Sequence, residues 1–240
     1  LRALIARQTG GAGIRLQRAT GFTVMAATTA WNAGAGLAVD ATPELKAPRA
    51  ALVTGLRTYG NTVGALLTQA RSVTITQSRA WNDGTGIVVA GATGAADGPS
   101  EDVTLTQNEL FFDSFNVYAG APFRPLATGT GFPVGVGLLL NGGRRVNVQA
   151  NRVYGNLLAG IVVTGGPDGL QVTRNNLGNG GGNPNGRDLA YDGSGTASCV
   201  DATGVASTVP SSRATFSACP AAQDAPARPD GAAQAEIAGW

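Results

Sequence analysis

Residues 151–176 read "NRVYGNLLAGIVVTGGPDGLQVTRNN" and contain two short runs of apolar residues, separated by a polar turn rich in glycine. The first run is "GIVV" at 160–163, and the second is the alternating "LQVTRNN" from residue 170. Alternation with a period of two is typical of β-strands, because successive side chains of a strand point to opposite faces. The stretch therefore predicts two strands joined by a tight turn.

The same pair of runs recurs through most of the chain. Glycine-led runs begin at residues 13, 36, 64, 86, 137 and 160, and an alternating run follows each of them, from 22, 51, 73, 103, 146 and 170. The shortest intervals between glycine-led runs are 22 and 23 residues, and the longer intervals contain inserts. A unit this short has no room for a crossover helix. Each unit is therefore expected to make one circuit of a coil, with each strand parallel to its copy about 4.8 Å away.

This coil predicts which side chains face inward. Val73, Val103 and Val146 would stack inside, whereas their neighbours Thr74 and Thr104 would face water. The second strands end at asparagines, whose side chains can bond turn backbone and stack on one another. These are Asn108, Asn151 and either Asn175 or Asn176.

Composition agrees with many short strands and excludes several functions. The chain has 36 glycines, 13% charged residues and no histidine, which rules out a histidine base or a histidine-ligated metal. The net charge is +2 and no basic cluster is visible, so no nucleic-acid partner is expected. No apolar run is long enough for a membrane span. The opening "LRALIARQTGG" fits the second run, so we expect a start halfway through a unit, after a removed signal peptide or inside a longer chain.

The repeat at 151–176 resembles the right-handed parallel β-helix repeats of secreted bacterial proteins and of pectate-lyase-like enzymes. The resemblance covers about 1–190 and implies an all-β, right-handed parallel β-helix. The end of the chain, with "NGRDLAYDGSGTASC" and "ATFSACP", is similar to the Cys-containing ends of actinobacterial β-helix proteins. That similarity implies a disulfide between Cys199 and Cys219 and an extracellular, secreted protein.

Three segments are predicted along the chain. The β-helix is expected over 1–198, a Cys-bridged segment over 199–219, and a weakly structured Ala/Pro-rich tail over 220–240. Inserts in the β-helix are expected at 40–50, 91–102 and 111–132.

Registering the repeats gives a column of charged residues. The sixth residue after the start of each second strand is Arg57, Arg79, Glu109 or Arg152, followed by Asn176. Such a column would lie along one turn of the coil and, with Asp83 and Asp113 beside it, could cradle an acidic polysaccharide. The candidate catalytic residues are Arg79, Arg152, Glu109, Asp83 and Asp113, with Arg57 as a substrate-binding residue. β-Helix enzymes use carboxylates and arginines on such surfaces. The alternative is that Glu109 simply neutralises its neighbours in an exposed ladder.

The insert at 111–132 holds six aromatic residues. Phe115, Tyr118 and Phe123 are candidate substrate-binding residues, because aromatic faces suit sugar rings. The alternative is that the insert folds over the flank of the coil and buries these rings.

Aromatic residues also recur in front of the glycine-led runs. Trp31, Tyr59, Trp81 and Phe132 each lie five residues before an anchor glycine, and Tyr154 lies six before. This spacing predicts a stack of rings at one corner of the coil, selected by the scaffold itself.

Two functions from different classes fit these features. The first is a binding or cell-surface module for a polysaccharide or cell-envelope glycan, favoured because no second strand carries an outward carboxylate pair. The alternative is a polysaccharide lyase or glycoside hydrolase acting on an acidic polysaccharide, so whether the chain is an enzyme stays open. No cofactor or metal site is expected, although a lyase could use calcium.

Overall fold

Three parallel sheets form from the repeated runs and wrap into a coil. The computed structural model describes residues 1–40, 49–91, 98–116, 121–122, 131–212, 215–216, 219 and 227–240. Sheet 1 contains β1 Ile5–Arg7, β4 Thr28–Ala30, β7 Arg57–Tyr59, β10 Arg79–Trp81, β13 Glu109–Phe111, β18 Arg152–Tyr154 and β21 Asn176–Leu177. Sheet 2 contains β2 Ile14–Gln17, β5 Ala35–Asp40, β8 Val63–Thr68, β11 Thr85–Ala90, β16 Val136–Asn141, β19 Ala159–Thr164, β22 Leu189–Tyr191 and β24 Thr208–Val209. Sheet 3 contains β3 Thr23–Met25, β6 Ala51–Thr54, β9 Arg71–Thr76, β12 Glu101–Thr106, β17 Asn147–Gln149, β20 Gln171–Thr173 and β23 Cys199–Val200.

The predicted register of the two runs is confirmed. Glycine-led runs form sheet 2, where Leu37, Ala65 and Ile87 lie in line, and the alternating runs form sheet 3, where Ile75 and Leu105 lie in line. All of these side chains are buried and belong to one continuous core inside the coil. The hydrophobic stacks hold successive coils together, because each strand alone could not bury its apolar face.

A third strand per coil was not predicted from the sequence. Most sheet 1 strands have only three residues, with a single inward side chain such as Thr58, Ala80 or Leu110. One inward residue is too few to show an alternating pattern, so the sequence predicted two strands per unit.

Polar side chains stack at the corner between sheets 3 and 1. The Nδ2 of Asn108 donates to Asn151 Oδ1 at 3.0 Å, and Asn151 Nδ2 donates to Asn175 Oδ1 at 3.0 Å. The predicted asparagine ladder is therefore confirmed, with Asn175 as its last member. Asn176 instead lies in sheet 1, paired with Arg152.

The outer face of sheet 2 is apolar as well and carries a second core. Val88, Val162 and Ala190 are buried there. A C-terminal helix, α1 Gly231–Ala238, packs Ala233 against this face. Asp230 caps the helix by accepting hydrogen bonds from the amides of the first turn.

The helix departs from the weakly structured tail expected over 220–240. The composition of the tail does not predict a helix. The helix forms because the apolar outer face of sheet 2 gives this alanine-rich segment a surface to pack on.

Three smaller features complete the fold. β14 Phe115–Asn116 and β15 Ala121–Pro122 form an antiparallel pair, and a 3₁₀ helix spans Gly178–Gly181. The predicted disulfide between Cys199 and Cys219 is confirmed, with the two Cα atoms 5.4 Å apart. Within the described residues, no helix has both the length and the apolar character needed to cross a bilayer.

Candidate functional site

The predicted charged column exists on the outer face of sheet 1. β7, β10, β13 and β18 place Arg57, Arg79, Glu109 and Arg152 directly in line, and Asn176 follows in β21. The next residue of each strand points into the core, so the charged side chains point outward. The column therefore presents three arginines and one glutamate over three strand spacings.

Glu109 joins two of the three arginines. Its Oε2 lies 3.0 Å from Arg79 Nε, and its Oε1 accepts from Arg152 Nη1 at 3.2 Å and from the Tyr154 hydroxyl at 3.0 Å. Burial, and then the bond to Glu109, raise the pKa of Tyr154 above its ordinary value. Within the described part of the chain, Arg57 makes no ion pair, so the column keeps a net positive charge.

Two grooves follow this column at the corner between sheets 3 and 1. One has a volume of about 450 Å³ and the other about 390 Å³. Gln77 and Arg79 line both, so the two grooves adjoin along the coil axis. Arg57 lines one end of this path and Arg152 the other.

A column of aromatic rings lies two residues further along the same strands. Tyr59 and Trp81 stack with centroids 4.8 Å apart, Trp81 and Phe111 with centroids 6.0 Å apart, and Phe111 and Tyr154 with centroids 5.3 Å apart. Because the rings cover one another, most of their faces are unavailable to a ligand.

The predicted membership of this column is wrong at two positions. Phe111 occupies the place in the column that was predicted for Phe132. The prediction counted five residues back from Gly137, and the long insert after β13 lies between Phe111 and that glycine. Trp31 lies one position further along, in line with Gly60, because the corner between Ala30 and Ala35 contains four residues, whereas the corresponding corner between Tyr59 and Val63 contains three. The two "AWN" tripeptides at 30–32 and 80–82 are therefore one residue out of register.

Asp83 and Asp113 do not lie beside the arginines, which corrects their predicted surface position. Both are fully buried at the corner between sheets 1 and 2. They continue a second polar ladder: Asn61 Nδ2 donates to Asp83 Oδ1 at 2.8 Å, and the amide of Asp83 donates to Asp113 Oδ1 at 3.1 Å. The ladder continues from Asp113, whose backbone amide donates to Asn156 Oδ1 at 2.9 Å. The one-residue register difference hid this from the sequence, because Asp83 aligns with Asn32.

Burial changes the acidity of both carboxyl groups. It raises the pKa of Asp83 to about 7, against the opposing hydrogen bond from Thr58. Burial and the neighbouring Asp83 raise the pKa of Asp113 well above its ordinary value. Asp113 Oδ2 has no hydrogen-bond partner within the described residues. These acids therefore sit inside the scaffold, away from any substrate on the outer face of sheet 1.

Part of the predicted aromatic site cannot be placed. Tyr118 and Phe123 lie outside the described residues, as does the side chain of Phe115, although its backbone forms β14. Their role in binding sugar stays a prediction.

A larger cavity of about 630 Å³ lies elsewhere, between α1 and the outer face of sheet 2. Val162 and Ile237 line it, together with Asp192. The carboxylate of Asp192 already accepts hydrogen bonds from Thr164 and Ser194. Among the described residues that line it, the cavity therefore has no free charged group such as the sheet 1 face offers.

The fold and this face define a class: a parallel β-solenoid with a basic, aromatic-flanked surface on one sheet. A family model described as the right-handed β-helix region matches residues 4–177, and the chain belongs to that family. Comparison with curated proteins gave no match, and neither did comparison with solved structures.

Proposed function

We propose that the chain is a secreted, non-catalytic β-helix module whose sheet 1 face binds an acidic polysaccharide or cell-envelope glycan. The observation that carries this proposal is the line of Arg57, Arg79 and Arg152 beside two adjoining grooves. Guanidinium groups bind carboxylates and sulfates through paired, charge-assisted hydrogen bonds. A row of them suits a polymer that carries several anionic groups along its length.

The placement of the acids favours binding over catalysis. A glycosidase needs two carboxyl groups facing one another across a bound sugar. Asp83 and Asp113 face the interior, and Glu109 is held by two arginines and a tyrosine. Glu109 then serves to hold the arginine side chains in an ordered row.

The disulfide supports an extracellular setting as part of the same proposal. Such bonds persist in oxidising environments and are rare in the cytosol. Glycans of the cell envelope are found in the same setting.

Titration calorimetry with alginate-derived oligouronates tests this function, together with ultraviolet absorbance to detect unsaturated products. Wild-type protein should bind, more weakly at high salt, without new absorbance. Arg79→Gln should weaken binding by about threefold to tenfold, whereas Glu109→Gln should strengthen it by removing a competing carboxylate. Arg18→Gln is the matched control, since Arg18 is exposed and lies at a different corner, after β2.

Two results would overturn the proposal. Loss of affinity in Arg18→Gln equal to that in Arg79→Gln would show that only net charge matters. New unsaturated ends that vanish in Arg79→Gln would show a lyase instead of a binding module.

A further inference from the structure

A row of polar residues follows the ends of the sheet 2 strands and borders the cavity beside α1. Asn141 and Thr164 are paired at the ends of β16 and β19, and Asp192 comes directly after β22 in the next coil. All three residues line the cavity. Asn141 and Thr164 are half-buried, whereas Asp192 is only 5% exposed. The row therefore places a buried carboxyl group at the edge of the cavity.

The walls of this cavity are mostly apolar. Leu139 and Val162 contribute from the outer face of sheet 2, and Ile237 and Trp240 contribute from the C-terminal segment. The exposed Gln234 also lines the cavity, so the space opens to solvent. Its volume of about 630 Å³ lies within the range of about 300–1,000 Å³ that is typical of sites for small molecules.

The hydrogen bonds of Asp192 orient its carboxylate without neutralising it. Oδ1 accepts from the backbone amide of Ser194 at 2.8 Å and from the Ser194 hydroxyl, and Oδ2 accepts from the Thr164 hydroxyl at 2.8 Å. All of these donors are neutral, and Oδ2 keeps one unused acceptor position. The described residues that line the cavity include no lysine or arginine. The negative charge of Asp192 therefore has no counter-charge in the cavity.

An aspartate in the same row shows the contrast. Asp40 ends β5, and the row runs from it through Thr68 and Ala90 to Asn141 and the residues beyond. Asp40 is half-buried and has a cationic partner, because Arg15 Nε lies 2.6 Å from its Oδ2. Buried carboxylates normally have such a partner. The more buried aspartate of the row instead faces a cavity.

The cavity is held in shape by contacts between the helix and the last coils. The backbone carbonyl of Asp192 accepts from the amide of Asp230 at 3.0 Å, and Asp230 is the residue that caps α1. Ala233 packs the same helix onto sheet 2. The carboxylate and the helical wall are therefore fixed relative to one another, as in a preformed binding site.

We propose that this cavity binds a small organic cation, an ammonium group carried on an aromatic body. The ammonium group donates to Asp192 Oδ2 in a charge-assisted hydrogen bond, which is stronger than a bond between neutral groups. The aromatic body packs against Leu139, Val162 and Ile237 and is removed from water there. The site lies on sheet 2 and uses none of the arginines of sheet 1, so it acts independently of the glycan-binding face.

Titration calorimetry with three aromatic amines tests the site. Benzylamine, phenethylamine and tryptamine are each compared with the neutral alcohol of the same carbon skeleton. At least one amine should bind about tenfold more tightly than its alcohol, because only the amine brings a counter-charge to Asp192. Asp192→Asn should remove this preference. Glu236→Gln is the matched control and should keep it, since Glu236 is an exposed carboxylate of α1 that does not line the cavity.

Two further measurements locate the bound amine. Ile237→Trp adds a ring to the half-buried wall of the cavity and should weaken the amine and the alcohol alike, by about tenfold. Binding of the amine to the wild-type protein should slow hydrogen exchange in α1, because the ligand stabilises the state in which the helix is packed. Thermal unfolding should show that both variants are folded.

Three results would overturn the proposal. The first is that no amine binds more tightly than its alcohol, a comparison within the wild-type protein that needs no variant to fold. The second is a preference for the amine that persists in Asp192→Asn, and the third is an unchanged amine affinity in Ile237→Trp. Either of the last two would show that the amine binds elsewhere. None of these results bears on the sheet 1 face, whose function is measured separately with oligouronates.

Discussion

Asp83 and Asp113 occupy positions that the rest of their ladder fills with asparagine. Elsewhere in that ladder an amide donates to the next side chain, as Asn156 Nδ2 does to Asn185 Oδ1 at 3.0 Å. A carboxylate has no such donor, whereas a protonated carboxyl group has one. The buried acids therefore replace asparagine best when they are neutral, which agrees with their raised pKa values.

Replacing either acid with asparagine should make the protein more stable at alkaline pH. Each native carboxyl keeps its proton to a higher pH than in the unfolded chain, where its pKa is near 4. The contribution of each carboxyl is full below about pH 4 and is lost as the pH rises towards its own raised pKa, which for Asp83 is about 7. Asp83→Asn should add about 1–3 kcal/mol at pH 8, Asp113→Asn should change the stability in the same direction, and both should flatten the pH profile.

Urea unfolding at pH 5 and pH 8 measures this difference. Asp168→Asn is the control, because the Asp168 side chain is about half exposed on the surface. An Asp113→Asn protein that is less stable than wild type at pH 8 would mean that the native carboxyl is ionised and held by something else.

At the scale of strands and corners, the sequence correctly predicted that Arg57, Arg79 and Arg152 lie in one row, but it did not predict the sheet 1 strands that carry them. Each arginine or glutamate lies six positions after the first residue of its alternating run, because a tight corner of constant length joins sheets 3 and 1. The next corner varies in length by one residue, which is why Trp31 and Asp83 were misplaced. Counting along the chain works only across corners of constant length.

Gly155, which lies against the exposed ring of Phe112, should tolerate replacement poorly. Gly155→Ala introduces both a left-handed alanine and a clash with Phe112, whereas Gly166→Ala introduces only the former, since nothing lies within 4 Å of Gly166. We expect a loss of about 1 kcal/mol in Gly166→Ala and of about 2–4 kcal/mol in Gly155→Ala, measured by chemical denaturation. Equal losses would show that Phe112 moves aside freely.

Over the whole molecule, predictability follows repetition. Sheets 2 and 3 could be predicted because their pattern recurs six times, and the core follows from it. The insert at 111–132 has no copy with which to be registered. The C-terminal helix depends on the apolar outer face of sheet 2, a feature formed by many coils at once. Features of this kind can be recognised only in the three-dimensional structure.

A solenoid should also unfold from its ends, so the disulfide should stabilise mainly the coil that contains it. Each coil contacts only its neighbours, so stability is close to a sum along the axis. The bridge between Cys199 and Cys219 closes a separation of 20 residues at the C-terminal end, worth about 3 kcal/mol in the chain-entropy model. Arg57, Arg79 and Arg152 lie on earlier coils.

Reduction of the disulfide should therefore loosen the last coil and leave the arginine-bearing face of sheet 1 intact. Hydrogen exchange should speed up over β22, β23 and β24 after reduction, while β7, β10 and β13 keep their protection. Oligouronate affinity should stay within about twofold of the oxidised protein, since Arg57, Arg79 and Arg152 lie on earlier coils than the bridge. If affinity and exchange across β7–β13 collapse together with the last coil, the coils unfold as one cooperative unit and the disulfide stabilises the binding face directly.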